Sequence, residues 1–169
     1  MRKYEFSWDL IGDIDAGRPN LGRMVDLDVY RLMQFTMRDV IEQKLGGEAA
    51  DKIFYDAGLI AGTEFYKHYI DPANTLEEFV SKTQRLLKEK HIGILRVEEE
   101  SAANGKVVLT VDEDLDCSGL PELEYEICIY DEGFIAGLFQ SFTNVPWNAK
   151  EIDCWCTGAR TCRFMVTKK

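Results

Sequence analysis

The chain has 169 residues, of which 46% are hydrophobic and 30% charged, and its formal net charge is −10. This length and composition are typical of one globular domain with its own core and exclude a disordered chain. The negative charge disfavours binding to nucleic acid, and no apolar run approaches the roughly 18 residues of a membrane span or resembles a signal peptide. We therefore expect a single cytoplasmic domain over residues 1–169.

The first predicted helix follows an irregular arm over residues 1–25. Apolar residues at helical spacing predict a helix from Leu27 to Leu45, with Asp26 as its N-cap. Gly46 and Gly47 then give a strong stop, because glycine readily adopts the positive φ that commonly ends a helix.

The second predicted helix, over residues 48–69, places small residues beside bulky ones. Its candidate ligand-binding residues are Phe54, Gly58, Ala61, Gly62 and Phe65. Glycines four residues apart let another backbone approach closely, so one interpretation is tight helix packing within the monomer. The other is a dimer interface, or space left open for a ligand between the helices and the sheet.

The third predicted helix follows Asp71–Pro72, which ends the second helix because proline disfavours the α conformation in the residue before it. Thr75 and Glu78 have the spacing of a capping box, in which each side chain bonds a backbone amide at the start of a helix. We expect this helix to reach about Lys90.

Strand signals dominate the second half of the chain. Residues 92–98 and 106–112 flank the turn signal Ala103-Asn104-Gly105 and predict a β-hairpin. Residues 124–130 alternate between apolar and polar side chains and predict a further strand, with Cys128 on its less apolar face.

A short helix over residues 131–142 and a final hairpin complete the predicted elements. The hairpin joins residues 152–156 to residues 161–167 across the turn at residues 157–160. Helices followed by a mostly antiparallel sheet predict an α+β fold, with the N-terminal helices packed on one face of the sheet.

The cysteines indicate metal chemistry, because four of the five lie at or after position 128. Cys154 and Cys162 lie on opposite arms of the predicted hairpin, Glu151 lies three residues before Cys154, and Cys128 can join from the neighbouring strand. Zinc suits thiolates completed by a carboxylate, so we expect zinc to hold the C-terminal hairpin together.

The spacing of these residues leaves alternatives open. The cysteines could be buried as small hydrophobes or could bind an iron–sulfur cluster. Cys156 would share a strand face with Cys154 and could compete as a ligand, although we treat it as a spare thiol. Cys117 lies in a predicted loop and is not expected to take part.

The pattern Glu151-x2-Cys154-x7-Cys162-Arg163-Phe164 resembles the C-terminal signature of the 4-vinyl reductase domain family. The Gly/Ala-rich stretch at residues 47–65 also resembles a helix of that family, and the resemblance covers about residues 25–167. It implies a zinc site of Cys128, Glu151, Cys154 and Cys162, as in the family's aromatic sensors. Four protein ligands fill a tetrahedral zinc ion, so the implied role is structural rather than catalytic.

The resemblance also implies a function. Related domains form dimers and bind hydrophobic or aromatic molecules, and the superfamily includes Golgi transport-particle subunits and haem-based nitric-oxide sensors. We therefore expect a homodimer that binds or senses a small hydrophobic or aromatic ligand, with a separate output protein, rather than an enzyme. The alternatives are a tetrapyrrole 4-vinyl reductase-like enzyme or accessory factor, and a non-catalytic assembly subunit with a filled core.

Overall fold

The computed structural model describes residues 3–101 and 105–169. It divides the chain into two compact units, residues 1–39 and residues 40–169. The boundary lies inside a helix, and the expectation of one domain stays a prediction. Ala103 and Asn104 of the predicted hairpin turn lie outside the described residues.

The first unit contains most of the predicted N-terminal arm. Two helical turns interrupt the arm, a 3-10 helix at Trp8–Ile11 and α1 at Ile14–Gly17. Helix α2 spans Leu27–Leu45, as predicted, and ends in the second unit. Gly46 follows it with φ 84° and donates its amide to the Glu42 carbonyl at 2.8 Å, which confirms the predicted stop.

Two further helices precede the sheet. Helix α3 spans Gly47–Phe65 and continues into a π-helical turn at Tyr66–Ile70, and α4 spans Leu76–Glu89. Thr75 Oγ1 accepts the amide of Glu78 at 3.1 Å, as predicted for the N-cap. The Glu78 carboxylate bonds the amide of Asn74 rather than that of Thr75, so half of the predicted capping box is shifted by one residue.

The sheet has four strands, and every neighbouring pair is antiparallel. In spatial order they are β1 (Ile94–Ser101), β2 (Lys106–Asp112), β4 (Cys162–Lys168) and β3 (Trp147–Asp153). Helix α5 (Ile129–Thr143) connects β2 to β3. This arrangement confirms the predicted α+β class.

Two predicted elements were wrong in the region that carries the cysteines. Residues 124–128 form no strand, and α5 begins directly after Cys128, which is its N-cap. So short an alternation cannot be told from the start of a buried helix by its period alone. Strand β3 also begins earlier than predicted, so Cys154 and Cys156 lie in the connection to β4 rather than in a strand.

Helix α3 packs on α5 through glycines of both helices. A Cβ atom built on Gly58 would lie 2.0 Å from the carbonyl oxygen of Tyr130, and one on Gly62 would meet the α5 backbone equally closely. Gly133 and Gly137 face the α3 backbone in the same way. Any side chain here would overlap the other helix, which confirms the packing interpretation of Gly58 and Gly62.

The core lies between one face of the sheet and two helices. Helix α4 contacts β1, and α5 contacts β3 and β4. The helix that covers β3 and β4 is therefore α5, an insertion between strands, rather than one of the N-terminal helices. The inward side chains Phe164 and Val166 of β4 are fully buried. Within the described residues, no helix combines the length and apolar character needed to cross a membrane.

Candidate metal centre and adjoining cavity

Four buried cysteines place their sulfurs within 4.8 Å of one another: Cys117, Cys128, Cys154 and Cys162. The Sγ atom of Cys128 lies 3.9 Å from that of Cys154 and 3.8 Å from that of Cys162. Tetrahedral zinc with Zn–S bonds of about 2.3 Å would hold its sulfurs about 3.8 Å apart. The cluster has the size of a metal site and could hold an ion.

Separate elements deliver three of these cysteines. Cys128 is the N-cap of α5, Cys154 follows β3, and Cys162 is the first residue of β4. Cys162 also pairs with Val111 near the end of β2. The predicted ligands Cys128, Cys154 and Cys162 are therefore brought together, although Cys128 comes from a helix end rather than a strand.

The fourth cysteine is one that sequence reasoning left out. Cys117 lies in a turn after β2, where Asp114 Oδ1 accepts the amides of Asp116 at 2.8 Å and Cys117 at 3.1 Å. This bonding pattern, typical of turns begun by Asp, points the Cys117 sulfur to within 3.0 Å of that of Cys162. The expectation that Cys117 takes no part was wrong, and Asp114 was the available signal.

The predicted carboxylate ligand lies beside the four sulfurs. Glu151 is fully buried and its Oε2 accepts the amide of Cys128 at 3.3 Å. Its Oε1 is buried with no hydrogen-bond partner among the described residues. Burial raises the pKa of Glu151 to about 10, and the charges of Cys154 and Cys162 add to this. An orphaned carboxylate oxygen is costly to bury, which fits a position beside a metal ion.

The thiols of the cluster influence one another strongly. Hydrogen bonds from Cys117, Cys128 and Cys162 lower the pKa of Cys154 far below its usual value, which favours the thiolate. The thiolate is the form of cysteine that binds metal. Cys156 is also buried but lies outside the group of four, and burial raises its pKa to about 12. Its assignment as a spare thiol stays a prediction.

Two further contacts fix the surroundings of the cluster. The buried carboxylate of Glu132 in α5 accepts the amide of Glu151 at 2.9 Å and the Lys150 ammonium at 2.8 Å. Trp155 Nε1 donates to the Leu120 carbonyl at 2.9 Å, which joins the turn after β2 to the β3–β4 connection. Neither contact could be inferred from sequence, because each joins elements distant in the chain.

An apolar cavity of about 30 Å³ lies between α4, α5, β1 and β2. It would hold about two waters by the usual measure, whereas an engineered cavity that binds benzene measures about 150 Å³. The residues that line it are Phe79, Val80, Thr83, Leu87, Ile92, Leu95, Leu109, Val111, Asp114, Asp131, Phe134, Ile135, Leu138 and Phe139.

Two carboxyl groups connect this cavity to the cysteine cluster. A carboxylate oxygen of Asp114, one of Asp131 and the sulfur of Cys128 lie within 4.8 Å of one another. The Oδ2 atom of Asp131 is buried with no hydrogen-bond partner among the described residues. Burial raises the pKa of Asp114 to about 7 and that of Asp131 well above its usual value. The cavity and the cluster therefore share a wall.

The five residues predicted to bind ligand lie elsewhere. None of Phe54, Gly58, Ala61, Gly62 and Phe65 lines this cavity. The Phe65 ring packs edge-on against Phe134, which does line it, with centroids 5.3 Å apart. A direct role of this set in ligand binding stays a prediction, and for Gly58 and Gly62 the contact with α5 leaves no space.

Residues 107–168 match the family model of the 4-vinyl reductase domain. This match confirms the resemblance to that family that the C-terminal signature indicates. An uncharacterised protein of Methanocaldococcus jannaschii is 28% identical to the chain over 158 residues, which are 94% of this chain and 84% of that protein.

Solved structures share the fold at low sequence identity. The phenol-responsive sensory domain of the transcription activator PoxR, crystallised with phenol, has a TM-score of 0.62 at 14% identity and covers 86% of this chain and 76% of its own. Subunit 3 of a trafficking protein particle complex from Naegleria fowleri, covalently bound to palmitic acid, has a TM-score of 0.63 at 12% identity and covers 85% and 95%. The fold is thus one that sensory and ligand-carrying proteins use.

Proposed function

We propose that the protein binds or senses a small hydrophobic or aromatic molecule between α4, α5 and the sheet, next to a structural zinc site. The observation that carries this proposal is the apolar cavity whose wall includes Asp114 and Asp131 beside the cysteine cluster. Ligand sites are typically apolar with a few convergent polar groups. The phenol bound by PoxR supports the same ligand class here.

The cavity favours a ligand with an apolar body and one polar group. Aromatic and aliphatic side chains would surround the body, and the unpartnered Oδ2 of Asp131 would receive a hydroxyl or amine. A single aromatic ring needs more than the present volume of about 30 Å³. Binding therefore requires the surrounding side chains to move apart, and Phe79 and Phe139, packed edge-on with centroids 5.2 Å apart, are the bulkiest of these.

The zinc proposal rests on three thiolates and a fourth donor. Cys128, Cys154 and Cys162 supply the thiolates, and Glu151 is the fourth donor that the family resemblance implies. Such an ion has no open position and would stabilise the fold rather than catalyse a reaction. Because Cys128 lies next to Asp131, a ligand held by Asp131 would be coupled to the metal-bound end of α5.

The homodimer proposal now rests on α2 rather than on the glycines of α3. One face of α2 exposes the apolar side chains of Val29, Leu32, Met33, Met37 and Val40. A contiguous exposed apolar surface often marks a protein–protein contact. A second copy of the chain would cover this face, and a separate output protein would read the state of the ligand site.

Fluorine NMR with 4-fluorophenol and fluorobenzene tests the ligand site. Both probes should bind, and 4-fluorophenol more tightly, because its hydroxyl can bond Asp131. Leu87→Ala enlarges the cavity and should tighten binding of both probes, whereas Val80→Phe fills the space and should weaken it. Leu86→Ala is the matched control, since Leu86 is also buried on α4 but does not line the cavity.

A non-catalytic assembly subunit is the second candidate, and the small volume of the cavity favours it. In that case the apolar side chains simply form a filled core. Neither probe would then bind the wild-type chain, and Leu87→Ala would cost stability as Leu86→Ala does, without creating a useful site. This pair of results would replace the sensing proposal with the assembly proposal.

A further inference from the structure

The cysteine cluster contains one thiol more than a site of three cysteines and one glutamate needs. The sulfur of Cys117 lies 3.0 Å from that of Cys162 and within 4.8 Å of those of Cys128 and Cys154. A zinc ion among the four would need these two sulfurs to separate to about 3.8 Å, a shift of less than about 1 Å. Each of the four therefore lies within reach of one ion.

We infer that Cys117 is the fourth zinc ligand, and that Glu151 supports the site from outside the ion's coordination sphere. This inference rests on the proposed zinc site and deepens it. The resulting centre has four thiolates in place of the three thiolates and one carboxylate that the family resemblance implies.

The geometry distinguishes the two candidates for the fourth position. The carboxylate oxygens of Glu151 do not belong to the group of atoms that lie within 4.8 Å of one another, whereas the Cys117 sulfur does. Glu151 Oε2 already accepts the amide of Cys128. Glu132 holds the amide of Glu151 itself, so its backbone is fixed to α5. Glu151 thereby positions a ligand, as residues around a metal site commonly do.

The position of Cys117 does not depend on the ion. Asp114 accepts its amide at 3.1 Å, and the Cys117 carbonyl accepts the amide of Leu120 at 3.0 Å. The Leu120 carbonyl in turn accepts the Trp155 indole N–H. A turn held at both ends presents a ready ligand, and zinc, a borderline-soft ion, accepts thiolate at least as readily as carboxylate.

X-ray absorption at the zinc edge of the purified protein tests the inference without any substitution. We expect four sulfur neighbours at about 2.3 Å and no oxygen. Three sulfurs with one oxygen at about 2.0–2.2 Å would overturn the inference while leaving the proposed zinc site intact. A protein that binds no zinc at all would instead contradict the proposed site.

Cobalt substitution gives an independent count of thiolates, because the sulfur-to-cobalt charge-transfer band grows with their number. Cys117→Ser should lose about a quarter of this absorbance, as expected for four thiolates reduced to three. Glu151→Gln and the control Cys156→Ser should keep it. Undiminished absorbance in Cys117→Ser, or loss of the cobalt d–d pattern of a tetrahedral site in Glu151→Gln alone, would overturn the inference.

Discussion

At the scale of single residues, the cysteine cluster combines several groups that are costly to bury unless they share a partner. Four thiols lie in mutual contact, and a carboxylate oxygen of Glu151 has no hydrogen-bond partner among the described residues. Such groups are normally buried only when bonded or when they bind a metal. A zinc ion would balance the charge of the thiolates and offset the cost of excluding water.

Substitution of single cysteines should separate ligands from the spare thiol. Cys154→Ser and Cys162→Ser each remove a proposed ligand and should unfold or aggregate the protein. Cys156→Ser should keep the metal and lower the thermal midpoint little, because Cys156 lies outside the group of four. Elemental analysis and thermal unfolding of the three variants measure this. Equal loss of metal from all three would contradict the assignment.

The Asp114 carboxylate should matter as a hydrogen-bond acceptor for the turn that carries Cys117. Asp114→Ala removes the acceptor of two backbone amides, and we expect zinc affinity to fall by about 10- to 100-fold, as when other supporting residues around metals are lost. Asp114→Asn retains an acceptor oxygen and is the matched control. Competition with a chelating dye measures both. Equal affinity in the two variants would show that the turn does not position a ligand.

Sequence reasoning identified Cys128, Cys154 and Cys162 because a linear signature carries two of them and family resemblance the third. It missed Cys117 because an irregular turn has no periodicity from which the direction of a side chain can be inferred. It also missed Asp131 and Glu132, whose roles arise only when α5 packs on the sheet. Contacts between elements distant in the chain set the chemistry of all three.

At the scale of elements, the α3–α5 contact changes what the glycines of α3 mean. Helix bounds were predicted well because stop signals such as Gly46 act locally. The strand expected at residues 124–130 failed because the tertiary contacts that make α5 a helix from Ile129 onward are not local. The glycines are explained by another non-local fact, the close approach of the two helix backbones.

The glycine contact leads to a revised expectation for Gly62→Leu, which had been expected to block a ligand site. A Cβ atom at this position would lie 2.0 Å from the Phe134 carbonyl oxygen, so the helices must separate. We expect a loss of about 3 kcal/mol or more in unfolding free energy, at or above the upper range for overpacked cores. Chemical denaturation measures this quantity.

Gly17→Ala is the control for this experiment, because no other atom lies within 4 Å of a Cβ at that position. It should leave the unfolding free energy nearly unchanged. A Gly62→Leu variant as stable as this control would mean that α3 and α5 do not pack as closely as described.

At the scale of the whole molecule, two surfaces remain to be satisfied by partners. The exposed apolar face of α2 favours a second copy of the chain. A Met33→Glu and Met37→Glu double variant should turn a dimer into a monomer by placing charge on this face, whereas Arg31→Glu, off the apolar face, should not. Light scattering at micromolar concentration measures the mass. A monomeric wild-type chain would contradict the dimer proposal.

The internal surface is the cavity, and its position beside the cysteine cluster joins ligand binding to metal binding. Structural zinc contributes on the order of 10 kcal/mol to a folded domain. Removal of zinc should therefore loosen the end of α5 that carries Cys128 and Asp131 and weaken the binding of 4-fluorophenol. Unchanged probe affinity after chelation would separate the two sites in energy, although they adjoin in space.

Native mass spectrometry of the freshly purified protein tests the central claim, a zinc-bound ligand-binding domain, most directly. It reports the metal, the co-purified ligand and the number of chains in one spectrum. We predict one zinc ion per chain, with a small apolar molecule retained in part of the population. Chains that carry neither metal nor ligand would contradict the account.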